Sequence, residues 1–218
     1  MWFSGILFND ASATDAEISA ASDNDITTSV LTANLTNVWE SVWGPDKKLW
    51  ITERDGTVSR VDPVTGKVTA VKTIDEVKSR GEGGLLGMAL HPDFLKTPQV
   101  FVAFDYEKGD YKGKVVRYNY NGITLINPVV LIDNIPAAGI HNGSRLIISP
   151  DRKLFITTGD ASHSRTAQDK SLLSGKVFRI NLDGSIPGDN PFPNSAVWSF
   201  GHRNPQGLVF AKNRLYAS

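Results

Sequence analysis

The segment GPDKKLWIT at residues 44–52 recurs as SPDRKLFIT at residues 149–157. A looser copy begins at His91-Pro92-Asp93, and we expect a fourth to begin at Asn204-Pro205 and to continue into residues 213–217. In each copy a proline fixes the backbone of a turn, a polar neighbour caps it, and an apolar strand follows. The repeat therefore predicts a series of similar turn-and-strand units.

A second strand follows the first in each unit and ends in a polar turn. The turns in question are residues 63–66, Asn121-Gly122 and Asp183-Gly184, of which the last two have compositions that favour tight hairpins. Apart from a single turn at residues 75–79, helical periodicity is absent, so the sequence predicts an all-β protein. Units of about 50 residues built from strands and hairpins are typical of β-propeller blades, and we expect three blades and the start of a fourth.

The composition restricts the classes of partner. The chain has 218 residues, with 23 Lys and Arg against 23 Asp and Glu, so there is no excess charge to attract nucleic acid. It contains no cysteine, which excludes disulfides, thiolate metal sites and a cysteine nucleophile. No apolar run approaches the roughly 18 residues needed for a membrane-spanning helix.

The N-terminal residues differ from the rest of the chain. We interpret residues 1–25 as a leader, either a clipped signal peptide or a disordered segment, and residues 26–218 as the partial propeller domain. A short apolar stretch and the small residues 11–13 resemble a secretory signal, although no Lys or Arg occurs before Lys47. We therefore expect a periplasmic or secreted protein.

Four segments carry a more particular pattern than the strands. They are EGGLLGMALHPDF at 82–94, HNGSRL at 141–146, LSGKVFRI at 173–180 and FGHRNPQGL at 200–208. In this order and spacing, the chain from about residue 26 to 218 resembles the PQQ-dependent glucose/sorbosone dehydrogenases, which include the aldose sugar dehydrogenases. The resemblance implies a six-bladed propeller of the quinoprotein glucose dehydrogenase type, of which this chain carries an incomplete part.

The same resemblance implies a reaction and its cofactors. The relatives oxidise the C1 hydroxyl of an aldose to a lactone, with pyrroloquinoline quinone (PQQ) and calcium as cofactors and an external electron acceptor. By resemblance, the general base falls on His141 and the arginine beside the quinone oxygen falls on Arg203. Asn204 and Glu82 fall on cofactor-contacting positions, with Arg203 counted among the cofactor contacts as well.

The sequence departs from the family pattern at three places. Ile140 stands before the histidine, where the family often has an acidic residue or Asn, and Ser144 replaces a glycine. The resemblance also implies that most calcium ligands and the basic residues that hold the quinone carboxylates belong to later blades. We therefore assign no metal ligand in this chain.

The residue types suit hydride transfer from a sugar to a quinone. A neutral imidazole can take the hydroxyl proton, and a permanently charged, planar guanidinium can stabilise developing oxyanion charge. We expect Gly83, Gly84 and Gly143 to let the backbone approach a flat cofactor. The other histidines have plainer interpretations: His91 as a turn residue, His163 as solvated, and His202 as hydrogen-bonded within its loop.

Two alternatives stay open for the function. A non-catalytic binding module of the hedgehog-interacting type would keep the propeller and the Gly-Gly-Leu-Leu-Gly-like loop. A metal-dependent lactonase would need acidic ligands converging on the axis, and we can place no such set. For the 218-residue chain alone, we expect aggregation or self-association through the open edge of the last blade.

Overall fold

The computed structural model describes residues 27–33, 35–212 and 214–218, so the predicted leader at 1–25 lies outside the described residues. The described part is built from three four-stranded antiparallel sheets and one two-stranded sheet. The first sheet contains β1 (Val38–Trp43), β2 (Leu49–Glu53), β3 (Thr57–Val61) and β4 (Val68–Thr73). The second contains β5 (Leu85–Leu90), β6 (Gln99–Lys108), β7 (Asp110–Tyr120) and β8 (Leu125–Pro136).

The third sheet contains β9 (Leu146–Ile148), β10 (Lys153–Thr157), β11 (Lys176–Asn181) and β12 (Val197–Phe200), and the last pairs β13 (Leu208–Ala211) with β14 (Arg214–Ala217). In every four-stranded sheet the strands follow chain order. The first strands of successive sheets are neighbours: β5 contacts both β1 and β9, and β9 contacts β13. This is the arrangement of propeller blades around an axis, and it confirms the all-β prediction and the count of three blades with a fourth begun.

The blades share their cores, as adjacent propeller blades must. Along β6, Val100, Val102 and Phe104 pack into the core between the first two sheets. The alternate residues Phe101 and Ala103 pack into the core between the second and third sheets. Both faces of β6 are therefore buried, which explains its nearly continuous apolar sequence.

The repeated turns occupy equivalent places. Residues 44–52 contain the connection from β1 to β2, His91-Pro92-Asp93 starts that from β5 to β6, and residues 149–157 contain that from β9 to β10. The proposed start of the fourth copy is wrong, because Asn204-Pro205 precedes β13, the first strand of its blade. The equivalent connection lies between β13 and β14, where no proline marks it.

Two local expectations also need correction. Asp183-Gly184 does form a turn, in which the Gly184 amide donates to the Asn181 carbonyl at 2.9 Å, but β12 begins only at Val197. The segment after β11 is therefore a long loop instead of a tight hairpin. The one described helix is a 3-10 helix at Ser164–Gln168, in a loop where no helix was expected. No described helix is long and apolar enough to cross a membrane.

Candidate active site

Three of the loops that carry sequence motifs enter the first strands of successive blades. The β4–β5 loop (residues 74–84) carries Glu82, the β8–β9 loop (137–145) carries His141, and the β12–β13 loop (201–207) carries Arg203 and Asn204. Since every blade runs in the same direction from its first strand, these loops meet at the same end of the propeller axis. The four predicted site residues therefore lie in adjacent loops at one mouth.

Hydrogen bonds join these loops directly. The His141 amide donates to Glu82 Oε2 at 3.1 Å, and the Gly143 amide donates to Asn204 Oδ1 at 3.0 Å. The Asp160 amide donates to the Arg203 carbonyl at 2.7 Å. The side chains of Glu82 and Asn204 thus both contact the loop that carries His141. Arg203 is held through its backbone by Asp160, which belongs to a different loop, after β10.

His141 has a fixed imidazole. Its backbone is left-handed, with φ of 63°, and its Nδ1 lies 2.9 Å from Asp160 Oδ1. Both side chains are largely buried, with 12% of the histidine and 4% of the aspartate exposed. A carboxylate acceptor at Nδ1 places the ring proton there and leaves the Nε2 lone pair free to accept a proton.

Asp160 was missed in the sequence. It follows β10 in the β10–β11 loop (residues 158–175), where its Oδ1 also accepts the Ser162 amide at 2.9 Å. The short Thr158-Gly159-Asp160 sequence after an apolar strand was the available signal. It is indistinguishable from an ordinary Asx turn until the fold brings His141 beside it.

The remaining predicted residues differ in how they are held. Arg203 is exposed, and its guanidinium forms no salt bridge with a described residue. Glu82 is also exposed, while its amide donates to the Gly139 carbonyl at 2.7 Å. Asn204 uses its carbonyl oxygen on Gly143, so its amide NH2 is available as a donor.

Three glycines of the site loops lie close to residues of other loops. A Cβ on Gly143 would lie 2.6 Å from the Gly159 nitrogen, and one on Gly84 would collide with the Arg54 carbonyl oxygen. A Cβ on Gly83 would collide with the Tyr111 hydroxyl and lie 2.9 Å from Asn142 Nδ2. These glycines let loops pack closely against protein neighbours, and their contact with a flat cofactor stays a prediction.

A buried carboxyl supports the β4–β5 loop from below. Asp105 on β6 is 1% exposed, and its Oδ2 accepts the Gly84 amide at 3.2 Å and the Tyr111 hydroxyl at 3.3 Å. Burial raises the pKa of Asp105 to about 7, against the opposing effect of the Gly84 hydrogen bond. The support under Glu82 is therefore a carboxyl whose charge changes near neutral pH.

The other histidines are accounted for by local contacts. His91 Nδ1 accepts the Asp93 amide at 3.0 Å within its turn, and His202 Nε2 lies 2.7 Å from Ser199 Oγ. Burial lowers the pKa of both imidazoles. His163 is exposed. These contacts agree with the turn interpretation of His91 and the loop interpretation of His202.

A cavity of about 450 Å³ lies between the first strands. It is lined by apolar residues such as Val42, Met88 and Leu208, and by a Glu40–Arg145 ion pair. Burial raises the pKa of Glu40, although Arg145 opposes the shift. Arg145 also lies 4.3 Å from the centre of the Trp39 ring, so both charges already have partners.

No group of three or more His, Cys, Asp or Glu side chains that could hold a metal ion occurs within residues 27–33, 35–212 and 214–218. Calcium thus stays a prediction from the family resemblance. The site seen here consists of one oriented imidazole, one exposed guanidinium, one exposed carboxylate and one amide. Such a set can take up a proton and bind a polar or anionic planar group.

Comparison with known proteins identifies the family and supports the fold. The model of the family described as Glucose / Sorbosone dehydrogenase matches residues 35–218. Quinoprotein glucose dehydrogenase B of Acinetobacter calcoaceticus is 36% identical over 240 residues, which cover 94% of this chain and 50% of that protein. The solved PQQ-bound form of aldose sugar dehydrogenase from Streptomyces coelicolor has a TM-score of 0.80 at 35% identity, covering 86% of this chain and 57% of that one.

Hedgehog-interacting protein of Homo sapiens is more distant, at 26% identity over 179 residues that cover 68% of this chain and 25% of that protein. The chain spans about half the length of the curated dehydrogenases it matches. The structural match confirms the partial β-propeller, and the sequence matches extend over nearly all of the domain predicted from residue 26 onward. The chain therefore belongs to the glucose/sorbosone dehydrogenase family.

Proposed function

We propose that this chain forms part of a PQQ-dependent aldose dehydrogenase that oxidises the C1 hydroxyl of a sugar to a lactone. The observation that carries the proposal is the His141 imidazole, held at Nδ1 by buried Asp160 in a loop that also holds the Arg203 backbone. The names of the relatives, quinoprotein glucose dehydrogenase and PQQ-bound aldose sugar dehydrogenase, support the choice of cofactor and substrate class.

The donor set of the site fits a planar, anionic quinone. Arg203 offers a permanently charged guanidinium that no described carboxylate neutralises, and Asn204 offers an amide NH2. These two residues and Glu82 would hold the cofactor, which would supply the acceptor for the hydride that leaves C1. The family resemblance implies that most calcium ligands and the basic residues that hold the quinone carboxylates belong to later blades.

His141 acts as the general base in this proposal. The C1 hydroxyl gives its proton to Nε2 as the C1–H bond breaks, so the substrate carbon becomes a carbonyl carbon. Asp160 keeps the proton on Nδ1 and stabilises the imidazolium that results. Its burial strengthens this interaction relative to an exposed pair.

Arg203 and Glu82 have electrostatic and positioning roles. The guanidinium of Arg203 stabilises negative charge that develops beside it during the transfer. Glu82 accepts the His141 amide and thereby fixes the left-handed backbone that presents the imidazole. Asn204 holds the Gly143 amide and joins the base loop to the arginine loop.

The test is reduction of an artificial electron-acceptor dye by the product of the complete gene, supplied with PQQ, calcium and common aldoses. We expect aldose-dependent reduction in the parent protein, none above background in His141→Ala, and unchanged PQQ binding in that variant. His163→Ala, in an exposed loop position, is the control and should keep parental activity. A parent protein that binds PQQ but oxidises no aldose would contradict the proposed reaction.

The alternative is a non-catalytic binding module of the hedgehog-interacting type. It rests on a match to only a quarter of that protein, and it gives no reason for the His141–Asp160 contact. Failure of the complete gene product to bind PQQ would favour this alternative.

We further propose that the protein uses an external electron acceptor. We also propose a periplasmic or secreted location, which fractionation of the native host would test.

A further inference from the structure

We propose that Lys176 is a positioning residue whose buried ammonium serves as an internal cation for the active-site loops. Lys176 begins β11 and is 0% exposed, yet no carboxylate among the described residues forms a salt bridge with it. A lysine in such a position is unusual, because burial disfavours its charged form. Burial correspondingly lowers the pKa of Lys176, which the nearby exposed Asp169 partly opposes.

The ammonium is satisfied by backbone carbonyls alone. Its Nζ lies 3.3 Å from the Thr166 oxygen and 3.0 Å from the Ala167 oxygen, and it also donates to the Ser174 oxygen. Thr166 and Ala167 belong to the 3-10 helix, while Ser174 lies near the end of the same loop. The single ammonium thus connects the 3-10 helix with the end of the β10–β11 loop, in the way that a bound metal ion connects its ligands.

The carbonyls of Thr166, Ala167 and Ser174, which we call the lysine cage, belong to a loop that also supports the Arg203 loop. The Ala167 oxygen accepts the Gly201 amide at 2.8 Å in addition to the lysine, and the Gly175 oxygen accepts the His202 amide at 3.1 Å. On its other side, the Arg203 carbonyl accepts the Asp160 amide at 2.7 Å. The segment that presents Arg203 is therefore held between the lysine cage and Asp160.

The same loop holds the base. Asp160 lies two residues after Thr158, whose amide donates to the Lys176 carbonyl at 2.8 Å and whose Oγ1 accepts the Lys176 amide at 3.0 Å. Loss of the cation would leave three carbonyls converging on an empty site, so the β10–β11 loop should loosen. We infer that Lys176 sets the positions of Asp160, and through it His141, and of Arg203 without touching substrate.

Hydrogen exchange of the protein without cofactor tests this inference independently of any activity. In Lys176→Met, we expect exchange at the amides of Asp160, Gly201 and His202 to accelerate by about tenfold or more, with β2, β3, β6 and β7 unchanged. Arg165→Met removes a charge from an exposed position of the same loop and should leave all three amides as in the parent. Unchanged exchange in Lys176→Met, or equal acceleration in every sheet, would overturn the inference.

Chemical rescue separates the cation from the packing of its side chain. In Lys176→Ala, added propylammonium replaces the missing atoms and should restore protection of the three amides, whereas sodium chloride at the same ionic strength should not. If propylammonium does not restore protection of the three amides, the internal cation is contradicted. A Lys176→Ala chain that stays unfolded in the presence of propylammonium counts as the same negative result. The catalytic meaning of Lys176 rests on the proposed function, but these exchange results stand even if no sugar is oxidised.

If the proposed dehydrogenase is active, a third measurement links the cage to turnover. We expect Lys176→Met to lower kcat by about tenfold or more while KM for the aldose changes little, because the variant disturbs the base and arginine but removes no substrate contact. A variant with parental kcat would show that the cage does not position the reacting groups.

Discussion

At the scale of single residues, the site depends on one histidine whose two ring nitrogens have different tasks. Asp160 occupies Nδ1 of His141, and the left-handed backbone at His141 directs the ring toward that carboxylate. Only Nε2 is then available for proton transfer. The proposed reactivity of the site therefore depends on a contact between residues 19 positions apart.

The first prediction concerns Asp160→Asn. The neutral amide cannot stabilise an imidazolium and permits the wrong tautomer of His141, so we expect kcat for aldose oxidation to fall by about 10²- to 10³-fold. PQQ binding should be unchanged, because Asp160 is not among the proposed cofactor contacts. Asp110→Asn, on an exposed residue of β7 away from the site, is the control. Parental kcat in Asp160→Asn would remove the aspartate from the proposed mechanism.

The second prediction concerns the buried carboxyl of Asp105. The folded chain keeps this group protonated up to a pKa of about 7, whereas the unfolded chain releases the proton near the ordinary value of 3.8. Between these values the folded state binds the extra proton, so ionisation of Asp105 lowers the free energy of unfolding as pH rises. The loss reaches at most about 4 kcal/mol by pH 8.

Asp105→Asn should remove this loss, because the amide oxygen can still accept the Gly84 hydrogen bond but cannot ionise. Denaturation at pH 5 and pH 8 measures the difference, with the exposed Asp110→Asn on the adjacent strand as control. A variant with the same dependence on pH as the parent would show that Asp105 does not titrate in this range.

The sequence indicated the site residues that stand in distinctive local motifs. It did not indicate Asp160, whose role depends on a contact with a segment distant in sequence. His141, Arg203, Asn204 and Glu82 were assigned by the family resemblance of their loop motifs, and the structure places all four in adjacent loops. Asp160 could not be assigned, because nothing in its own segment indicates which imidazole it will meet. The glycines were recognised, but their role in loop packing depends on neighbours such as Arg54 and Gly159 that come from other segments.

At the scale of strands and turns, the blades approach so closely that specific positions have no room for a side chain. Gly87 in β5 faces the Ser144 carbonyl oxygen just before β9, and a Cβ there would collide with it. Ser144 itself leads into the first strand of the next blade and has φ of 73°. The spacing of the first strands, and with it the position of the base loop, depends on this glycine.

The third prediction concerns Gly87→Ala. The added methyl group forces the two first strands apart, so we expect the free energy of unfolding to fall by about 2–3 kcal/mol, measured by chemical denaturation. Gly139→Ala is the matched control, because its Cβ would meet nothing within 4 Å and its backbone needs no positive φ. That variant should lie within about 0.5 kcal/mol of the parent. Equal effects in the two variants would contradict the packing argument.

The strand repeat was predictable because its chemistry is local. Proline, aspartate and an apolar run indicate each turn and the strand after it, and the structure confirms three such turns in equivalent places. The repeat also appears in the pairing of strands, because in each four-stranded sheet an aromatic residue of the second strand pairs with an arginine of the third. The pairs are Trp50 with Arg60, Phe101 with Arg117 and Phe155 with Arg179. The fourth turn was misplaced because Asn204-Pro205 has the composition of a turn but belongs to the loop that enters β13.

At the scale of the whole molecule, each apolar core is completed by two blades. The core that contains Trp50 and Phe104 and the core that contains Phe101 and Phe178 lie on opposite faces of the second sheet. Beyond the third sheet, β13 and β14 form only a two-stranded sheet, on which Val209 and Tyr216 are about half exposed. These residues form an apolar surface beside β14, whose outer edge pairs with no described strand.

The fourth prediction is that the 218-residue chain expressed alone self-associates or aggregates through this surface. Val209→Lys combined with Tyr216→Lys should shift the sedimentation of the chain toward the monomer. Val64→Lys, on an exposed turn of the first blade, should leave the association unchanged. A parent chain that sediments as a monodisperse monomer and melts cooperatively would contradict this prediction.

The central claim is that the loops entering successive first strands bring His141 and Arg203 to one mouth of the propeller, where they face a single quinone. A crystal structure of the complete gene product with PQQ measures this directly. We predict a planar density bounded by His141 Nε2 on one side and the Arg203 guanidinium on the other. A ring bound elsewhere, or an imidazole and a guanidinium that face separate cavities, would contradict it.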